Sequence, residues 1–156
     1  MNPKISVASN ADAASIARMS RVLIEHDLPW SWTEERVRNA IRHRETAVIV
    51  ARDRRRLAGF AIMRFGDAHA HLHLLAVAPA YRGRGLGRGL VAWLEACART
   101  AGIFEVGLEL RLANDAARAF YESLGYAECG IARAYYAGRE DARRMRRDLR
   151  QSHRHV

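Results

Sequence analysis

Tyr81-Arg82-Gly83-Arg84-Gly85-Leu86-Gly87-Arg88-Gly89-Leu90 sets four glycines and three arginines at alternate positions in mid-chain. It follows a strand-like run, His71-Leu-His-Leu-Leu-Ala-Val77, and precedes a helix-like run, Val91 to Thr100. The glycines remove side chains, so a phosphate group can approach the backbone closely. A turn of this kind delivers unpaired N–H groups and the positive end of a helix dipole to one point. Arg82, Arg84 and Arg88 add full positive charge beside it. Strand, glycine turn and helix start, in that order, make a phosphate cradle. A dinucleotide fingerprint needs G-x-G-x-x-G at a first strand, and a P-loop needs Lys and then Ser or Thr after its last glycine. Here the glycines recur every second residue in mid-chain, and Arg88-Gly89 stands where the P-loop lysine would be. A disordered Arg/Gly segment that binds RNA is longer than this single turn between two apolar elements.

Outward from the cradle, the chain of 156 residues reads as one α+β domain over 1–150, with a frayed tail over 151–156. Nearly half of the residues are hydrophobic, which suits a packed core. No run approaches ~20 apolar residues, and Met1 to Ser6 lacks the apolar core of a secretory signal, so a cytoplasmic location is expected. Cys97 falls in a helical pattern and Cys129 in a strand pattern; both are expected to be small core residues. The formal net charge of +9 comes almost wholly from arginine, since Lys4 is the sole lysine. That charge suits an anionic cofactor or partner. No recognition motif for nucleic acid accompanies it, and neither a membrane nor a nucleic acid is expected as a partner.

Ile5–Ala8 reads as a first strand, and Asn10 as the cap of a helix carrying Ile16, Met19, Leu23 and Ile24 on its apolar face. Thr33 caps a second helix. The apolar runs 47–51 and 57–63, joined by Asp53-Arg-Arg-Arg56, read as a hairpin buried on both faces. His69 to Val77 is a strand, the helix after the cradle ends at Gly102, and Phe104 to Leu112 alternates as a strand. Asn114 caps a helix closed by Gly125, and Tyr126–Tyr136 with Asp141–Leu149 forms a last hairpin.

With these elements in place, the chain resembles the GCN5-related N-acetyltransferases. Arg82-Gly-Arg-Gly85-Leu-Gly87 matches the family's R/Q-x-x-G-x-G/A acyl-CoA loop, Leu75-Ala-Val-Ala-Pro79 its central strand, and Asn114 to Tyr126 its following helix. Within the family the chain is most similar to the bacterial ribosomal-protein N-terminal alanine acetyltransferases. Arg133-Ala-Tyr135-Tyr136, Gly138-Arg-Glu-Asp-Ala142 and Met145 resemble their C-terminal segment, and Pro29-Trp30-Ser31 their first interhelical loop. Two departures stand out: His73 and Leu74 replace a Phe-Asn pair, and the segment 25–32 matches in part. The resemblance implies a mixed, mostly antiparallel sheet of about seven strands flanked by four helices and splayed at the acyl-CoA site.

It also implies acetyl-CoA as co-substrate, without a metal. Leu75, Ala76 and Val77 would pair with the pantetheine arm, Arg82, Gly83, Arg84, Gly85, Leu86, Gly87 and Arg88 would hold the pyrophosphate, and Asn114 would touch the cofactor. Glu109 matches the family's base and Tyr121 its general acid. Trp30, Trp32, His73, Tyr135 and Tyr136 come from segments that flank the acceptor groove. His73 competes with Glu109 as the base, because it lies close to the thioester's strand. His69, His71 and His73 alternate along one strand face, which reads as a wet surface in preference to a metal site. The acceptor is a protein or peptide N-terminus; a small-molecule amine, or acyl-CoA binding without catalysis, is the alternative. An α-amine near pKa 8 is about a tenth neutral at pH 7, whereas a lysine is neutral in under ~0.1%. A monomer or a homodimer is compatible with the sequence.

Overall fold

A computed structural model describes residues 3–151, so the tail beyond Gln151 lies outside the described residues. The strands are β1 (Lys4–Val7), β2 (Thr46–Asp53), β3 (Arg56–Phe65), β4 (Ala70–Val77), β5 (Glu105–Arg111), β6 (Ala127–Tyr136) and β7 (Glu140–Asp148). The α-helices are α1 (Ala13–Leu23), α2 (Glu34–Arg42), α3 (Leu86–Thr100) and α4 (Asp115–Ser123). One seven-stranded sheet runs β1-β2-β3-β4-β5-β7-β6. Every neighbouring pair is antiparallel except β4 with β5. This is the α+β architecture expected from the sequence.

The β2–β3 hairpin is the centre of packing because both of its faces are apolar. Ile49, Ala61 and Met63 join Leu90, Leu94, Leu108 and Met145 in a cluster on the side of α3. Val48, Val50, Phe60 and Ile62 join Ile16 and Val37 in a second cluster on the side of α1 and α2. The continuous hydrophobic runs are thus explained by burial on two sides. No described helix is long and apolar enough to cross a membrane.

Strand β4 positions the site through two irregularities. Met63 pairs with Leu72 and Ile62 with Leu74, so His73 is an extra residue, a β-bulge. The bulge switches faces: Ala70 and Leu72 enter the first cluster, Leu74 and Ala76 the second. The second irregularity is that β4 pairs with β5 over Ala70–Leu72 alone, against Val106–Leu108. Beyond that point the two strands part, and one edge of Leu74–Val77 is left without a strand partner.

Two expectations are corrected. Asn10 does not cap α1: Ser9 precedes a 3-10 turn over Asn10–Asp12, and Asp12 occupies the N-cap position of α1. The Asp12 carboxylate accepts from Ser9 N at 2.8 Å and pairs with Arg52, which holds the entry to the helix one turn later than the Asn suggests. Cys97 is half-buried, but Cys129 is exposed. The β6–β7 register skips from Glu128 to Gly130, so Cys129 is a bulge residue, and it lies on the edge strand of the sheet, where no residue is buried.

Candidate active site at the β4–β5 split

The cradle has the form its glycines demand. Gly83 and Gly85 adopt φ of 76° and 78°, and open space surrounds the position of an added Cβ at each. L-residues with side chains resist that left-handed region. Gly85 caps α3, and the first main-chain bond into the helix runs from Gly89 N to Gly85 O at 3.0 Å. The N–H groups of Leu86, Gly87 and Arg88 therefore have no intrahelical acceptor and point out at the positive end of the helix. Arg82, Arg84 and Arg88 are exposed around them. Arg82 Nε donates to Val77 O at 3.1 Å, and the Tyr81 hydroxyl donates to Asp53 at 2.6 Å, so the loop is tied to β4 and to the end of β2. The open glycines and free donors fit a diphosphate.

A cavity of about 570 Å³ opens where β4 and β5 part. Its wall includes His71, His73, Leu75, Glu109, Asn114 and Tyr121, and it is closed by Trp32, Tyr135 and Tyr136. Ala76 and Val77 continue the β4 edge toward the cradle without lining this cavity. Trp30 also stands outside it, beneath the Arg21 guanidinium at 5.0 Å.

Glu109 sits at the hub. Its Oε1 accepts from His71 Nε2 at 2.6 Å and from the Tyr135 hydroxyl at 2.9 Å. Burial works to raise its pKa. The His71 hydrogen bond and charge, the Tyr135 hydrogen bond and Arg144 outweigh that and hold the carboxyl below its usual range. Tyr135 is pushed up to about 12, by burial first and then by the Glu109 charge. His73 Nδ1 lies 3.1 Å from His71 Nδ1, and its ring is 5.7 Å from that of Trp32. Burial, then His71, Arg36 and Arg64, lower the His73 pKa to about 4, against a smaller opposing pull from Glu109. The two histidines are therefore a half-buried hydrogen-bonded pair and not a wet strand face, while His69 pairs separately with Glu105.

Tyr121 is held by T-shaped contacts with Phe120 and Tyr126, and its hydroxyl makes no hydrogen bond among the described residues. Burial, then Tyr136, raise its pKa well above the ordinary tyrosine value. Asn114 Oδ1 accepts from Ala117 N at 3.0 Å, so it is a helix cap that also lines the cavity.

The sequence reading did not single out three residues that shape this site. Glu25, buried between α1 and α2, accepts from Ser20 Oγ at 3.0 Å, from Ser31 N at 2.8 Å and Ser31 Oγ at 2.6 Å, and from Trp32 N at 3.3 Å. Arg111 donates to Ile24 O at 2.9 Å and His26 O at 2.6 Å, pinning the same loop to β5. Arg36 covers the Trp32 ring at 3.8 Å. The one local sign was a carboxylate followed at short range by Ser31 in a proline-containing loop. Glu25→Ala leaves four donors without their acceptor; about 2 kcal/mol of stability is lost and the acceptor KM rises. Urea unfolding beside peptide kinetics checks both, and an unchanged KM would show that the loop does not meet the acceptor.

Comparison with known proteins bears on the family and the fold. The profile described as Acetyltransferase (GNAT) family matches residues 17–126. A [Ribosomal protein bS18]-alanine N-acetyltransferase from Salmonella typhimurium is 37% identical over 134 residues, covering 78% of this chain and 90% of the relative. The N-alpha-acetyltransferase RimI of Mycobacterium tuberculosis is 36% identical over 149 residues, covering 92% and 91%. The crystal structure of the ribosomal-protein-S18-alanine N-acetyltransferase from Escherichia coli superposes with a TM-score of 0.81 at 31% identity, covering 100% of this chain and 99% of that one.

Proposed function

Because the chain belongs to the GNAT family of acetyltransferases and is an acetyl-CoA-dependent N-acetyltransferase, we propose that its acceptor is the α-amine of a protein N-terminus. The observation that carries this reading is Glu109, a carboxylate held below its usual range inside a cavity walled by Trp32, Tyr135 and Tyr136. Such a base is too weak to make a lysine neutral in useful amount, whereas an α-ammonium near pKa 8 needs modest help. The relatives named for N-terminal substrates point the same way.

Acetyl-CoA supplies the acyl group as a thioester, activated toward an amine. The chain's residues do the rest. N–H groups of Gly83 to Arg88 hold the diphosphate, and the unpaired edge of Leu75 to Val77 aligns the amide-rich arm. Glu109 supplies the negative charge toward which the α-ammonium and its departing proton are drawn. A backbone N–H near Val77 takes the developing charge on the carbonyl oxygen. Tyr121 donates its hydroxyl hydrogen bond to the departing sulfur. Asn114 meets the cofactor arm without giving up its cap. Because acetyl-CoA is a cytoplasmic metabolite, the reading places the protein in the cytoplasm.

The test is thiol release from acetyl-CoA against peptides beginning Ala, Ser, Met and Gly, run beside a panel of small amines. Turnover on Ala- or Ser-starting peptides with little on small amines is the expected result; turnover on small amines alone overturns the acceptor. In the same assay the rate rises from acid pH as the amine is freed, and Tyr121 imposes no loss up to about pH 10, because burial lifts its hydroxyl above the ordinary value. A decline near pH 9 that disappears in Tyr121→Phe would contradict that assignment.

A further inference from the structure

We propose that His71 and His73 form a proton relay that carries the acceptor amine's proton to water beside the Glu109 carboxylate, with His73 Nε2 as the atom that takes the proton. The inference rests on the amine-acceptor chemistry above and deepens it: Glu109 and His73 are two ends of one chain and not competing bases.

With both imidazoles neutral, donor and acceptor parity sets the resting tautomers. Glu109 accepts only, so His71 Nε2 carries the hydrogen in the 2.6 Å bond. In neutral His71, Nδ1 is then a lone pair. The 3.1 Å contact between the two Nδ1 atoms requires one hydrogen, which must come from His73 Nδ1. His73 Nε2 is therefore a lone pair on a ring that lines the cavity, and it receives no hydrogen bond among the described residues. The rings meet edge to face, with centroids 4.4 Å apart and an 83° interplanar angle. The bulge at His73 and the Trp32 ring beside it set this geometry.

The step balances. The ammonium N–H bond breaks and an N–H bond forms at His73 Nε2, while the His73 Nδ1 hydrogen passes to His71 Nδ1. His73 ends neutral, in its other tautomer. His71 ends as an imidazolium against the Glu109 carboxylate and releases the proton to water, since about a third of its side chain is exposed. The freed amine attacks the thioester, and its remaining surplus proton leaves with the thiol.

The surrounding charges favour this distribution. Arg36 of α2 and Arg64 of β3 act against a cation on His73, which suits a group that passes a proton without keeping it. Glu109 of β5, itself contacted by Tyr135 of β6 and influenced by Arg144 of β7, places its carboxylate 2.6 Å from His71 Nε2.

His73→Phe removes the head of the relay, and His71→Gln keeps an amide donor toward Glu109 while cutting the path. Each is expected to lower kcat/KM for an Ala-starting peptide about thirtyfold at pH 7, with the acetyl-CoA KM within about twofold. The deficit shrinks by pH 9, where the amine is already neutral, and the double variant is no worse than either single one. A merely structural role would leave the deficit constant with pH. Nitrogen-15 spectra of the free protein's imidazoles give an independent reading: hydrogen on Nδ1 of His73 and on Nε2 of His71 at neutral pH. Wild-type rates and pH profiles in both variants, or His73 protonated on Nε2 at rest, overturn the relay. If the wild type acetylates no peptide, the acceptor reading fails, and the nitrogen assignments then decide the relay alone.

Discussion

Tyr121→Phe lowers kcat about a hundredfold and leaves the KM for acetyl-CoA within about twofold. The substitution deletes one oxygen and little else. The Tyr121 ring keeps its edge contacts with Phe120, 5.0 Å between centroids, and with Tyr126 at 5.6 Å. Tyr126 is itself anchored, its hydroxyl donating to Glu95 at 3.0 Å, and Glu95 in turn accepts from Arg147 at 2.9 Å. The lost group is thus a hydroxyl with no protein partner among the described residues, in the wall of the cavity from which the thiol is proposed to depart. Full proton transfer from an ordinary tyrosine to a thiolate of pKa near 8.5 is uphill by about 2 kcal/mol, and burial makes Tyr121 a still weaker acid. The contribution proposed for it is a hydrogen bond that strengthens as sulfur gains charge, which acts on kcat and not on ground-state binding. Unchanged kcat would take Tyr121 out of the reaction. A raised KM with kcat intact would make it a binding contact.

Local chemistry was legible where one segment carries the whole instruction. The glycine turn, the Asn114 cap and the doubly apolar β2–β3 hairpin need no distant partner to be read, and each stands where its residues indicate. The cavity was half legible. Alternation placed Glu109 and His73 away from the core faces of their strands, and the family resemblance placed Tyr121, but nothing in one strand reveals that β4 and β5 part after Leu72. The bulge at His73 is a mismatch between two strands and has no signature in either alone. For the same reason His71 read as solvated: its partner, Glu109, is 38 residues away. Glu25 and Arg111 were missed because their partners are backbone groups of a loop, which sequence patterns do not display. Cys129 shows the converse error. An apolar-looking strand position is exposed because β6 is the edge strand of the sheet, and none of its residues is buried.

Gly59→Val lowers the unfolding free energy by about 3 kcal/mol and raises the acetyl-CoA KM with it. Gly59 pairs with Val77 in the β3–β4 ladder, and a Cβ there would lie 2.7 Å from Ala76 O and 3.3 Å from Leu90 Cδ1. The first contact is with backbone, so no rotamer change relieves it. β3 cannot retreat, since it is bonded to β2 on its other edge and flanked by the fully buried Ala58 and Phe60. Relief must come from β4, and the residues displaced are Ala76 and Val77, at the edge proposed to align the thioester. Stability and cofactor affinity therefore fall together. Gly83→Ala separates the two effects. That residue has φ of 76° but open space at its Cβ, so its cost is about 1 kcal/mol of backbone conformation with no clash. It acts on the cradle and leaves β4 in place. Urea unfolding and acetyl-CoA kinetics on both variants decide the matter. If Gly59→Val stays within about 1 kcal/mol of the wild type, β4 relaxes freely, and the close approach of β3 does not hold the cofactor edge in position.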